Sequence, residues 1–126
     1  MSLRSPLARV LGLGAAGDGP AHWWSQRVSA VALVLLTAWF LLSAVGLQLG
    51  SHAAVAGWLA EPINTVLMIL LVATIAYHSM IGVQVVLEDY TGGWVRVAGL
   101  LLAQFLHVLL AGVAVVAILR VAFGVR

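Results

Sequence analysis

The stretch Tyr77-His78-Ser79-Met80-Ile81-Gly82-Val83-Gln84-Val85-Val86-Leu87-Glu88-Asp89-Tyr90 closes an apolar run that begins at Ile63. Residues 63–87 carry no Asp, Glu, Lys or Arg. A bilayer core is spanned by about 20 mostly apolar residues in a helix, so this run is long enough to cross one. It holds a single histidine in its interior, His78, and it ends on two carboxylates, Glu88 and Asp89, and on Tyr90. An ionisable group at membrane depth is costly to keep there, which makes His78 a functional candidate.

Two further runs flank this one. The first covers residues 28–49 and includes Trp39 and Phe40; the third covers residues 97–123. Pro62 stands just before the middle run, where its fixed φ and missing N–H suit the first helical position. Linkers are expected over 50–61 and 88–96, each marked by turn chemistry: Gly50-Ser51 in one and Thr91-Gly92-Gly93 in the other. The pattern predicts an all-α membrane protein with three transmembrane helices (28–49, 63–87, 97–123). They form a single domain over 1–126, with residues 1–27 as an N-terminal segment on the cytoplasmic side.

Composition agrees. Of 126 residues, 63% are hydrophobic and 8% are charged, and the mean hydropathy is +1.13. A soluble domain needs far more polar surface. The net charge of +2 arises without a single lysine, and no basic stripe of the kind that binds nucleic acid is present. The chain has no cysteine, so a disulfide framework and a Cys-ligated cluster are both excluded. Arg4 and Arg9 are followed by the Gly-rich stretch 11–20 and not by an apolar signal segment. A short Arg-bearing transit peptide is a second reading of that stretch.

Arginine placement predicts the orientation. With the N-terminus inside, Arg4, Arg9, Arg27 and Arg96 lie inside, and Arg120 and Arg126 outside. The positive-inside rule then favours N-in and C-out. His22, Trp23, Trp24, Asp89, Tyr90 and Trp94 fall near the inner interface and Trp58 near the outer one. Tryptophans at that depth are ordinary anchors.

On the middle helix, Gly82, Val85, Val86 and Asp89 lie 4, 7, 8 and 11 residues after His78 and share its face. Histidine is a common axial ligand of haem iron, and a small residue one turn away would let a flat ligand approach. Tyr90 lies roughly 18 Å further toward the inner surface at helical rise. A phenol there can donate to a carbonyl oxygen such as that of a quinone, and Asp89 beside it can take part in proton delivery. Each residue also has a plainer reading. His78 can bond a neighbouring helix, Gly82 can serve close packing, and Tyr90 can be a belt residue. His107 lies roughly 16 Å from the inner edge, close to the depth of His78. It is either a second haem ligand in the same chain or an interhelical hydrogen bond. Arg27 opens the first span, and with His22 it is placed to pair with acidic groups such as haem propionates.

Two motifs resemble a known family. His22-Trp23-Trp24-Ser25-Gln26-Arg27-Val28-Ser29-Ala30-Val31-Ala32-Leu33 is similar to the opening H-W-W-x-Q-R-x-T-A-V-A-L of the D-type membrane-anchor subunit of succinate dehydrogenase (respiratory complex II). It departs at Ser29, where Thr is usual. His78-x-x-x-Gly82 followed by Glu88-Asp89-Tyr90 is similar to that family's histidine, glycine and Asp-Tyr signature. The resemblance covers nearly the whole chain.

It implies half of a helical bundle, completed by a second anchor subunit of the C type, in a bacterial inner (cytoplasmic) membrane or, as the lesser alternative, the mitochondrial inner membrane. It also implies docking of an iron–sulfur subunit and a flavoprotein subunit on the inner face, with ubiquinone as electron acceptor. It implies His78 as an axial ligand of haem b, Tyr90 and Asp89 at the quinone, and Arg27 and His22 near the haem propionates. Such a subunit is not catalytic alone. Two alternatives stand beside it: a self-contained b-type cytochrome with haem between His78 and His107, and a membrane accessory subunit with no redox role.

Overall fold

The computed structural model describes residues 18–124. Arg4, Arg9 and the stretch 1–17, on which the transit-peptide reading rests, lie outside the described residues, as does Arg126. Four helices follow in order: α1 (Asp18–Val45), α2 (His52–Ala60), α3 (Pro62–Tyr90) and α4 (Gly93–Ala122). α1, α3 and α4 are each long and apolar enough to cross a membrane. At 28, 29 and 30 residues they are each about 42–45 Å long, more than a hydrocarbon core of about 30 Å. The expected all-α architecture with three spans is therefore observed.

The helix ends differ from the hydropathy boundaries. α1 begins ten residues before the first expected span, at Asp18 in place of position 28. The predicted non-span segment 1–27 thus includes helix, and His22 to Arg27 sit on it. α3 continues through Glu88, Asp89 and Tyr90, and α4 starts at Gly93, so the second linker shrinks from 88–96 to Thr91 and Gly92. Hydropathy marks where side chains turn polar. A backbone passing through the interface still gains from internal hydrogen bonds, so the helix outlasts the apolar run.

The first linker contains α2, a helix the apolar pattern did not announce. Its N-terminus is capped by Ser51, whose Oγ accepts from the Ala54 N–H at 3.3 Å. Its C-terminal carbonyls are met from the first turn of α3: Asn64 Nδ2 donates to Trp58 O at 2.9 Å and Thr65 Oγ1 donates to Leu59 O. Pro62 opens α3 without needing a partner for an N–H. The corner is then sealed by Trp58, stacked on Trp39 of α1 with ring centroids 5.6 Å apart and 6.4 Å from Phe40. At the opposite end, Thr91 Oγ1 donates to Leu87 O, and Arg96 closes on Thr91 O through Nε at 2.9 Å and Nη2 at 2.7 Å. Gly93 turns the chain with φ +55, a conformation that suits glycine.

α3 is the middle helix, with α1 packed along one side and α4 along the other, while α1 and α4 do not pack on each other. The buried interior is correspondingly thin. Among the described residues the buried apolar side chains are Leu59, Leu71, Ile81 and Ile118, joined by Ser29 and Thr65. Val34, Leu35 and Leu42 on α1 and Leu102, Phe105 and Val108 on α4 are exposed, as befits helices facing lipid or other helices.

The α3–α4 crossing depends on Gly99. A Cβ built there would lie 3.3 Å from Leu87 Cδ2 and 3.5 Å from Cδ1. Gly99→Leu should therefore wedge the pair apart and destabilise the chain by about 1–3 kcal/mol. Gly112 on the same helix meets nothing within 4 Å, and Gly112→Leu should not lower stability. Thermal unfolding of the purified chain in detergent micelles separates the two, and equal melting of both variants would contradict this packing.

Candidate functional site

Polar side chains are rare on these helices, and four of those on α1 lie close together near its start: His22, Ser25, Gln26 and Ser29, spaced by 3 or 4 residues along one face. That face meets α3 at His78. The Nδ1 atom of His78 lies 2.9 Å from Ser29 Oγ, and its Nε2 atom lies 3.3 Å from Gln26 Nε2. Ser29 is only 6% exposed, and its hydroxyl donates to the Gln26 carbonyl oxygen one turn back at 3.1 Å. His78 is thus held to α1 by both ring nitrogens. Gly82, one turn along α3, faces the same neighbour: Gln26 Nε2 would lie 3.9 Å from a Cβ there.

Toward the end of α3 the two helices part around a cavity of about 640 Å³. His22 and Gln26 line it from α1, and Ile81, Gln84, Val85 and Glu88 from α3. A volume of this size is typical of a cofactor site. Gln84 Nε2 donates to Glu88 Oε1 at 2.8 Å on its wall. Two buried polar atoms of its lining, His22 Nε2 and Gln26 Oε1, have no hydrogen-bond partner in the chain. A buried polar group left unpaired costs about 1–3 kcal/mol, so the pair marks a place where a polar partner belongs.

The remaining predicted residues lie elsewhere. Arg27 is exposed, and its guanidinium sits over the Trp23 ring, 5.2 Å from the centroid. His22 and Arg27, five residues apart, therefore occupy different faces of α1 and do not form one site within this chain. Asp89 and Tyr90 are exposed on the last turn of α3, Tyr90 by 84%.

His107 is bound on the other side of α3. Its Nδ1 lies 2.7 Å from Ala103 O and its Nε2 2.7 Å from Ser79 Oγ. A carbonyl only accepts, so Nδ1 carries the proton and Nε2 accepts from the Ser79 hydroxyl. His78 turns to α1 while Ser79, the next residue, turns to α4. The structure does not bring the two histidines together. Among the described residues no group of three or more His, Cys, Asp or Glu side chains is placed to hold a metal ion. What the sequence reading missed is the pair Gln26 and Ser29. The signal was there, since polar residues at helical spacing on an apolar span mark a helix contact.

The family model described as the succinate dehydrogenase/fumarate reductase transmembrane subunit matches residues 1–119. The chain is 34% identical over 87 residues to the succinate dehydrogenase hydrophobic membrane anchor subunit of Rickettsia bellii, covering 69% of this chain and 70% of that one. It is 29% identical over 123 residues to the subunit of the same name from Paracoccus denitrificans, covering 95% and 93%. No solved structure matches it.

The Ser79–His107 contact is an interhelical hydrogen bond, and a double-mutant cycle should read it as one. Ser79→Ala and His107→Ala, singly and together, are expected to show a coupling of about 0.6 kcal/mol, the usual size for such bonds between membrane helices. Equilibrium unfolding in mixed micelles measures it, and additive effects of the two changes would refute the bond.

Proposed function

Since this chain belongs to the family of succinate dehydrogenase/fumarate reductase transmembrane subunits, as a hydrophobic membrane anchor, we propose that it supplies half of a haem b site and part of a ubiquinone-reduction site. In this reading it pairs with a second anchor subunit of the C type in a bacterial inner membrane. Together they seat the iron–sulfur and flavoprotein subunits on the inner face. The observation that carries the reading is the placement of His78 inside an apolar span, fixed to α1 by Ser29 and by Gln26, the latter also lining the cavity and carrying an unpaired Oε1.

The residues fit a haem. His78 offers one imidazole ligand. Its position against α1 and the separate engagement of His107 with Ser79 leave the second ligand to the partner anchor. His22 Nε2 and Gln26 Oε1 offer a donor or acceptor at the cavity, and His22 is the propionate-side candidate on that wall. Arg27, stacked on Trp23 at the helix surface, would reach a propionate only at the edge of the chain that faces the partner. A bound haem supplies a one-electron reservoir at this depth.

Tyr90 and Asp89 form the quinone-side station. Both stand on the final turn of α3 and are exposed, so they are open to a ligand shared with other subunits. The Tyr90 hydroxyl can donate to a quinone oxygen, and the Asp89 carboxylate can accept a proton from water or the phenol and pass it on. In the assembled complex, His78→Ala should abolish the b-type haem spectrum. Tyr90→Phe should keep that spectrum and lower kcat/KM for quinone reduction about tenfold, the worth of one lost hydrogen bond of about 1.4 kcal/mol. An unchanged haem spectrum in the first variant, or unchanged quinone kinetics in the second, would overturn the corresponding assignment.

Arginine distribution supports an N-terminus on the inner side, the side on which Tyr90 must lie in this reading. The absence of cysteine permits a direct test. A membrane-impermeant maleimide applied to intact cells should label Gly50→Cys and spare Gly92→Cys; the reverse pattern would refute the orientation.

A further inference from the structure

Ser29 breaks the apolar face of α1 and is buried, 6% exposed, against α3. A hydroxyl in that setting has one proton to give, and a helix offers it the carbonyl one turn back. Ser29 takes that option, donating to Gln26 O at 3.1 Å. Toward His78 the oxygen can then only accept. The 2.9 Å contact with Nδ1 is then made by a proton on Nδ1, and Nε2 is the nitrogen that bears the lone pair. A second, independent contact agrees. The Gln26 amide nitrogen, which can only donate, lies 3.3 Å from Nε2.

We infer that Ser29 is the positioning residue of His78: its hydroxyl sets the Nδ1–H tautomer and the ring rotation, and so presents Nε2 as the iron ligand. This rests on the haem reading proposed above. A ligating histidine commonly donates its other N–H to an oxygen, which orients the ring and makes the ligating nitrogen more basic. Ser29 Oγ is the only side-chain oxygen bonded to Nδ1 among the described residues. The Gln26 amide lies against Nε2 in the chain alone and must yield that nitrogen when it ligates.

The experiment uses the complete complex carrying Ser29→Ala, Ser29→Thr or Ser29→Val. Haem per flavin, the haem midpoint potential and the low-temperature electron paramagnetic resonance g-values are measured for each. Thr and Val are matched in shape and differ in the hydroxyl alone. Ser29→Ala and Ser29→Val should bind haem about 10–100-fold more weakly. They should also raise the midpoint potential, because a less basic Nε2 stabilises the oxidised iron less, and shift the g-values. Ser29→Thr should behave as the unaltered complex. Unchanged potential and g-values in Ser29→Val, or the same change in Thr and Val, would overturn the inference. A His78→Ala complex that retained its haem would instead overturn the haem reading, whatever Ser29 does.

Discussion

A polar group between membrane helices has no water to turn to, and that constraint organises this chain. His78 sits at a depth where an unbonded imidazole nitrogen would cost as much as the contact that holds the helices together. Ser29 and Gln26 meet both of its nitrogens, and in doing so they fix the register of α1 against α3. Apolar packing alone sets register weakly in lipid, since a leucine gains little by leaving hydrocarbon for another leucine. The hydrogen bonds supply the directionality that the apolar faces lack. The same logic repeats one residue later. Ser79 meets His107 and ties α3 to α4 at nearly the same level. Two consecutive residues of α3 thus fasten it to its neighbours on both sides.

The rest of the architecture is a chain that has not closed on itself. α3 is covered on two sides, and α1 and α4 keep large apolar side chains exposed along much of their length. Its buried interior is too thin to bury a cofactor alone. The cavity between α1 and the end of α3 shows the same incompleteness in polar form, with His22 Nε2 and Gln26 Oε1 unpaired. A subunit that lends one wall of a site to a larger assembly is expected to look this way, and membership of a family of anchor subunits accords with it.

Much of this was legible in the sequence. Three apolar runs named the three long helices, and the isolated histidine in the middle run marked the position at which α3 is bonded to α1. Three things were not legible, each for a physical reason. The helix ends were misplaced because hydropathy reports side chains, whereas a helix stops where its backbone finds other partners, here at Thr91. α2 was hidden because nine residues of mostly small side chains carry no amphipathic period; it is held by Trp58 against Trp39 and by Asn64 and Thr65, which act across the chain. The side chosen by each histidine was hidden because His78 and His107 match in depth, and depth says nothing of rotation about the helix axis. The residues that break that tie, Ser29 and Ser79, are ordinary in composition and become informative once the faces are known.

The continuation of α3 to Tyr90 changes what the two stations mean for each other. Had the helix ended at Leu87, Asp89 and Tyr90 would ride on a linker, and their distance from His78 would vary with its conformation. As built, Tyr90 lies twelve helical positions beyond His78, about 18 Å along one rigid rod. The rod is pinned at one end by Ser29, Gln26 and His107 and closed at the other by Thr91 and Arg96. His78 and Tyr90 are then positioned by a single element, so under the proposed function the groups they hold would keep a fixed separation without any direct contact. The carboxylates of Glu88 and Asp89 fall on that last turn as well, outside the apolar run yet still on the helix.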